Sequence, residues 1–209
     1  MGIRATDKFN RPDDPGLGAN WETSPSDRAA FSIVSNEANS TEGVLASGER
    51  YVGAAFPSDH YSQAVVADAP ALGRPAVTVR HTLGAGSGYD CYQLEARENG
   101  ASTTYQIIKT SGGGRSGVTG ILSNQPTSIG AVLRLEAIGS TLIGYRNGVE
   151  IRRGTDSEHT GGAPGLHTIT GAADTTQFDD WEGGDFLSSD LETKGWLPTY
   201  PTVVAGGGR

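Results

Sequence analysis

The feature that most constrains this chain is the Asn147-Gly148 dipeptide. It sits between two runs of alternating character, T-L-I-G-Y-R before it and V-E-I-R-R after it. A two-residue type I′ turn needs a positive φ at both central positions, and Asn-Gly supplies this at least steric cost. The turn sets a register, with Arg146 opposite Val149, Gly144 opposite Ile151 and Leu142 opposite Arg153. Leu142, Gly144, Val149 and Ile151 then share an inner face, and Ile143, Tyr145, Glu150 and Arg152 share an outer one.

The same period of two recurs along the chain. Ala76–Leu83 sets Val77, Val79, His81 and Leu83 against Thr78, Arg80 and Thr82. Tyr89–Ala96 turns Tyr92, Leu94 and Ala96 inward and Gln93 and Glu95 outward. Ala131–Ile138 opposes Leu133 and Leu135 to Arg134 and Glu136. Each is the pattern of a sheet with one buried face. Shorter strands are expected at Thr6–Phe9, Phe31–Val34, Val44–Ala46, Tyr51–Phe56, Tyr61–Ala67, Thr103–Lys109, Val118–Leu122, Pro164–Ile169 and Gln177–Phe186. About a dozen strands with a turn every 8–12 residues or so indicate an all-β sandwich. The 31 glycines among 209 residues fit that reading, and no long amphipathic helical run competes with it. From residue 187 the alternation stops. Trp196, Leu197, Pro198, Tyr200 and Pro201 read as an extended C-terminal arm packing on a surface.

Charge narrows the functional classes. The net charge of −8 disfavours a general nucleic-acid binder, which should be basic. The charge is uneven, however. Residues 97–153 hold seven Lys/Arg against three acids, whereas residues 174–192 hold seven acids and no base. The single cysteine, Cys91, rules out an intrachain disulfide. The opening M-G-I-R-A-T-D-K-F has no apolar core, so no secretory signal is expected. No stretch approaches the roughly 18–20 apolar residues that span a bilayer, so no membrane insertion is expected.

Three segments carry a family resemblance. Asp7–Trp21, D-K-F-N-R-P-D-D-P-G-L-G-A-N-W, resembles the "D-x-F-x-R … L-G-x-x-W" opening of concanavalin A-like (LamG-type) jelly-roll domains. The Tyr145–Val149 hairpin followed by Ala163–Leu166, A-P-G-L, is similar to that family's "Y-x-N-G … G-x-x-G-L" stretch. Phe178–Asp185, F-D-D-W-E-G-G-D, resembles its closing strand. The pieces occur in the family's order. They imply a two-sheet antiparallel jelly-roll sandwich over residues 5–186, with the extended C-terminal arm at 187–209. Such domains occur in bacterial carbohydrate-binding proteins and in minor tail and other virion proteins of phages. The resemblance therefore implies a non-catalytic phage virion structural protein of the minor tail or decoration type. Its partners would be other virion proteins or further copies of itself, together with cell-surface polysaccharide. A free-standing, secreted carbohydrate-binding module and a divergent glycoside hydrolase are the alternatives.

Laminarinase-like relatives use Glu-x-Asp-x-x-Glu on one strand, but no glutamate here has an Asp two residues on. Glu95 and Glu98, three apart on a strand, should face opposite ways. With no G-x-S-x-G elbow either, no catalytic residue is expected. His81 is expected to be a buried, satisfied histidine. For glycan contact, Tyr145, Glu150 and Arg152 form the outer face of the hairpin, with Tyr105 joining from another strand. No HxH, CxxC or EF-hand spacing marks a metal, and no cofactor is required. The family's structural Ca²⁺, held where first and last strands meet, would fall to Asp7, Asp179 and Asp185, with Asp13, Asp14 and Asp180 nearby. Trp21 and Trp181 are expected in the core.

Overall fold

The structure, a computed structural model, describes residues 2–24, 29–40, 46–84, 88–100, 102–170 and 175–186. The expected arm at 187–209 and most of the strand expected at Val44–Ala46 lie outside the described residues. Among those residues the chain forms sixteen strands, numbered in chain order, and no helix. One sheet runs β14 (Val149–Thr155), β13 (Thr141–Arg146), β12 (Val132–Ile138), β6 (His60–Asp68), β16 (Gln177–Asp185), β4 (Glu37–Ser40) and β3 (Phe31–Val34). Its eighth strand, β1 (Gly2–Asp7), also pairs with β16. The second sheet runs β10 (Gly114–Gly117), β9 (Thr103–Ser111), β8 (Tyr89–Glu98), β7 (Ala76–Leu83), β15 (Ala163–Ile169), β5 (Ala46–Tyr51) and β2 (Trp21–Thr23). Here β11 (Leu122–Gln125) also pairs with β9. All pairings between strands are antiparallel.

The two inner faces close on one another. Val77, Val79, Tyr92, Leu94, Ile107 and Leu166 of the second sheet meet Ala64, Val66, Leu133, Leu135, Leu142 and Phe178 of the first. Period-two patterning thus places the core where the sequence expected it. The sheets approach closely at Gly144, where a Cβ would stand 2.6 Å from Leu94 Cδ1.

The opening motif ties the sheets together. Asp7, at the end of β1, accepts hydrogen bonds from the Phe9 amide at 2.8 Å, from Arg11 at 2.6 and 3.1 Å, and from Trp21 Nε1 at 2.9 Å. Arg11 also donates to the Leu17 carbonyl at 2.7 Å. Trp21 lies in the second sheet, and its ring packs edge-on against Trp181 of the first at 4.7 Å between centroids. Tyr51 stacks on Trp181 at 4.9 Å. Both tryptophans are core residues, as expected.

The Asn147-Gly148 turn forms with φ of 50° and 76°. Asn147 also accepts from the Val132 amide through Oδ1 at 2.8 Å, binding the turn to the next strand. Arg146 pairs with Val149 and Tyr145 with Glu150. The register then slips by one, so Gly144 meets Arg152 and Leu142 meets Gly154. The extra residue, Ile151, is a bulge, and it packs against the core. Past the bulge the faces are exchanged. Arg152 turns to the Gly144 side, Arg153 joins the outer face, and Val149 is 66% exposed rather than inward.

A second bulge lies between Val79 and Thr82 of β7. It sends Arg80 toward the first sheet's loops, where its guanidinium donates to the carbonyls of Ser58 (3.0 Å), His159 (2.9 Å) and Gly139 (2.6 Å). His81 is fully buried as expected, but beside Thr78, Ser24 and Tyr89 rather than with Val77 and Val79. The N-terminal strand ends at Asp7 instead of Phe9. The strand expected at Val118–Leu122 is replaced by β10, which ends just before it, and β11, which begins at its last residue, Leu122.

Buried titratable groups make the fold pH-sensitive in both directions. His60 Nδ1 donates to the Pro57 carbonyl and Nε2 accepts the Arg80 amide, which fixes a neutral tautomer. Burial, chiefly, lowers its pKa to about 4, and burial lowers that of His81 to about 3. Below pH 6.5 the unfolded chain binds these protons and the folded one does not, so stability declines from about pH 6.5 downward. Burial raises Glu49 instead, to about 7. Between its ordinary value of 4.5 and about 7 the folded state holds a proton that the unfolded state releases. That contribution is lost as pH rises through the window.

Two outcomes are expected. Asp7→Ala strands the Trp21 and Phe9 donors and costs about 3 kcal/mol, read from the urea midpoint by tryptophan fluorescence. Glu49→Gln gains about 2–3 kcal/mol relative to the parent at pH 8, with little difference at pH 4.5, in denaturation curves at the two pH values.

Candidate functional site

Alternation along β8 sets the site. Because Tyr92, Leu94 and Ala96 fill the core, Cys91, Gln93, Glu95 and Arg97 face out of the second sheet. Their cross-strand partners on β9 are Thr110, Ile108, Gln106 and Thr104, on the same side. The short strand β10 brings Arg115 over this face, and the segment before β7 brings Arg74. Together they outline a pocket of about 170 Å³ lined by Arg74, Glu95, Arg97, Gln106, Ile108 and Arg115, with Ile121 at its wall.

The pocket is polar and ordered by side-chain bonds. Arg115 pairs with the Glu95 carboxylate, and Arg74 lies 3.9 Å from the other oxygen of the same group. Arg115 also reaches Gln93 Oε1 at 3.4 Å. Gln93 in turn donates to Thr110 Oγ1 at 3.1 Å and to Cys91 Sγ at 3.3 Å. Burial pushes the Cys91 thiol up to about 12, so it stays a protonated thiol and offers no nucleophile at neutral pH. Gln106 Nε2 is spent on the Thr119 carbonyl at 2.7 Å, which leaves its amide oxygen as an acceptor.

The outer face of the first sheet is a closed network. The Arg134 guanidinium lies 3.6 Å over the Tyr61 ring and bonds Glu136 at 2.9 Å. Tyr145 donates to Glu136 at 3.2 Å, and Tyr61 to Glu182 at 2.5 Å. Burial and then the adjacent carboxylates hold both phenols well above their usual range. Glu150 pairs with Arg153 at 2.6 Å.

Of the residues expected to contact glycan, Tyr145 and Glu150 share this face. The other two do not join them. Arg152 is carried to the opposite side by the Ile151 bulge and approaches the Tyr105 carbonyl at 3.5 Å. Tyr105 is fully buried between the sheets, because β9 turns its odd-numbered residues inward. The outward direction of Gln93 and Glu95 was legible in the alternation. The arginines that complete their pocket were not, since Arg74 arrives from the segment before β7 and Arg115 from the short strand β10.

The expected Ca²⁺ ligands also stay apart. β1 and β16 do pair, but antiparallel register sets Asp7 opposite Trp181 and Asp185 opposite Gly2, at the two ends of the ladder. Asp7 is occupied by Arg11 and Trp21, Asp185 bonds Arg4 at 2.6 Å, and Asp179 accepts the Asp180 amide. No cluster of three such ligands exists among the described residues. These three carboxylates therefore do not fit a shared cation.

Nor do the catalytic candidates assemble. Glu98 faces away from Glu95 and accepts from Thr103 at 2.8 Å and the Ser128 amide at 2.8 Å, anchoring a loop. Ser24 Oγ lies 2.8 Å from His81 Nε2, yet Nδ1 faces Thr78 Oγ1 at 3.5 Å rather than a carboxylate, and both residues are buried.

No protein-family model and no curated protein matches the sequence. Solved structures do match the fold. The carbohydrate-binding module CBM66 from Bacillus subtilis superposes with a TM-score of 0.59 at 16% identity, over 80% of this chain and 98% of that one. A Bacillus licheniformis β-glucanase gives 0.59 at 12% identity, over 90% of this chain and 100% of that one. SCLam, a non-specific endo-β-1,3(4)-glucanase of family GH16, gives 0.55 at 12%, over 88% and 91%. At such identities the likeness establishes the fold alone. Two eight-stranded antiparallel sheets and these superpositions give the chain a two-sheet jelly-roll sandwich fold, like that of the carbohydrate-binding module and the glucanases.

Proposed function

We propose that this jelly roll is a non-catalytic glycan-binding module whose ligand seats on the outer face of the second sheet. The observation that carries the reading is the pocket between β8, β9 and β10. It combines an ordered row of amide, hydroxyl and guanidinium groups with the apolar side chains of Ile108 and Ile121. Saccharides are bound by such mixed surfaces, with hydroxyls paired to fixed polar groups and C–H faces against apolar ones. Neighbours named for carbohydrate binding or glucan cleavage support a saccharide ligand. A binding role is favoured over hydrolysis because Glu95, the carboxylate in the pocket, is engaged by two guanidiniums. A retaining mechanism would need a second carboxyl about 5–5.5 Å away, and Glu98 points into the opposite side of the sheet.

The finer setting is a phage virion, where the module would contact cell-surface polysaccharide while other virion proteins or further copies hold it. That part rests on the sequence resemblance, and mass spectrometry of purified particles checks it.

Binding of the pure protein to a glycan array is expected, with no release of reducing ends from the bound polysaccharide. Arg115→Ala lowers affinity about tenfold, whereas Tyr145→Phe leaves it unchanged. If Tyr145→Phe abolishes binding and Arg115→Ala does not, the first sheet is the binding face. Release of reducing ends would overturn the non-catalytic assignment.

A further inference from the structure

We infer that the pocket selects acidic glycans, through a carboxylate-bearing sugar held by Arg97. This rests on the glycan-binding reading above and names the chemical class of its ligand. The pocket holds three guanidiniums, from Arg74, Arg97 and Arg115, against the single carboxylate of Glu95. That surplus of positive charge lies in a chain whose net charge is −8, so it is a local feature and not a property of a basic surface.

The three arginines play different parts. Arg74 and Arg115 grip Glu95 from two sides, which shows that a planar carboxylate fits between guanidiniums in this space. Arg97 is exposed and makes no ion pair or side-chain hydrogen bond among the described residues. It stands two residues from Glu95 on the same face of β8, opposite Thr104. Its fork is therefore the one in the pocket open to an incoming anion. Arg115, Arg134, Arg50 and Arg153 each pair with a carboxylate, and Arg146 and Arg152 donate to backbone carbonyls, whereas Arg97 has neither kind of partner among the described residues. The Gln106 amide oxygen and Thr104 hydroxyl flank this position and can accept from or donate to ring hydroxyls. Ile121, 62% exposed, offers an apolar wall for a ring C–H face. A carboxylate suits a guanidinium fork in a plane, and Glu95 already demonstrates that fit, so a uronate is favoured over a sulfated sugar.

Isothermal titration of the full chain with trigalacturonate, its fully methyl-esterified form and a sulfated oligosaccharide tests this. Trigalacturonate is expected to bind best, with affinity falling as salt rises. The neutral ester is expected to bind about tenfold more weakly, and Arg97→Gln to remove that preference while leaving the urea midpoint unchanged. Equal binding of the acid and the ester, lost in Arg115→Ala, overturns the inference and leaves the glycan-binding reading standing. Tighter binding of the sulfated sugar overturns the carboxylate assignment, and an acid preference that survives Arg97→Gln overturns the role of Arg97. Failure of all three probes, together with a blank glycan array, overturns both readings.

Discussion

One carboxylate carries a disproportionate share of this architecture. Asp7 belongs to the first sheet, yet it collects donors from the loop that follows it and from Trp21 in the second sheet. Charge-assisted bonds to a largely buried carboxylate are among the stronger polar contacts a fold can make. Here they act where apolar packing takes over, since the tryptophan they orient lies between Trp181 and Tyr51. Asp7 therefore sets the spacing of the sandwich at one end, much as Leu94 against Gly144 sets it farther along. It also explains why the same aspartate is unsuited to a cation: its lone pairs are already committed to N–H groups.

What the sequence revealed depended on how local each determinant is. The Asn147-Gly148 turn was legible because two adjacent residues specify its backbone. The strands of the core were legible because alternation is a property of a few consecutive side chains. The bulges at Ile151 and in β7 were not. A single extra residue preserves composition and period on either side while exchanging the faces beyond it. That one displacement removed Arg152 from the constellation of Tyr145 and Glu150. The burial of Tyr105 was hidden for a related reason: alternation gives two faces but does not say which is inside when β-branched and polar residues are mixed on both. The pocket itself was half legible. Gln93 and Glu95 were visibly outward, but Arg74 and Arg115 come from other strands and irregular segments, and their meeting is a matter of topology.

The two outer faces illustrate how similar composition yields different chemical capacity. On the first sheet, arginines, glutamates and tyrosines satisfy one another, so Arg134, Glu136, Tyr145 and Tyr61 form a self-contained lattice. Their desolvated phenols are held far from ionisation. On the second sheet the same residue types are fewer and leave a concave remainder with excess guanidinium. Polar residues that consume their own bonding capacity stabilise a surface, and those with capacity left over recognise something else.

The way β16 is shared has a consequence for solubility. It pairs along one side with β6, and along the other with β4 and then β1, and β1 has β16 as its only strand partner among the described residues. Among the described residues, the strands at the rims of the two sheets are β14, β3, β1, β10, β11 and β2. Four of these are only three or four residues long, β1 carries Arg4 and Asp7 and is irregular between Ile3 and Ala5, and β14 carries Glu150, Arg152 and Arg153 around a bulge. Short, charged or kinked rims offer poor templates for a foreign strand. The sandwich thereby guards itself against sheet-to-sheet polymerisation, which would be a particular hazard wherever many copies of such a domain are crowded together.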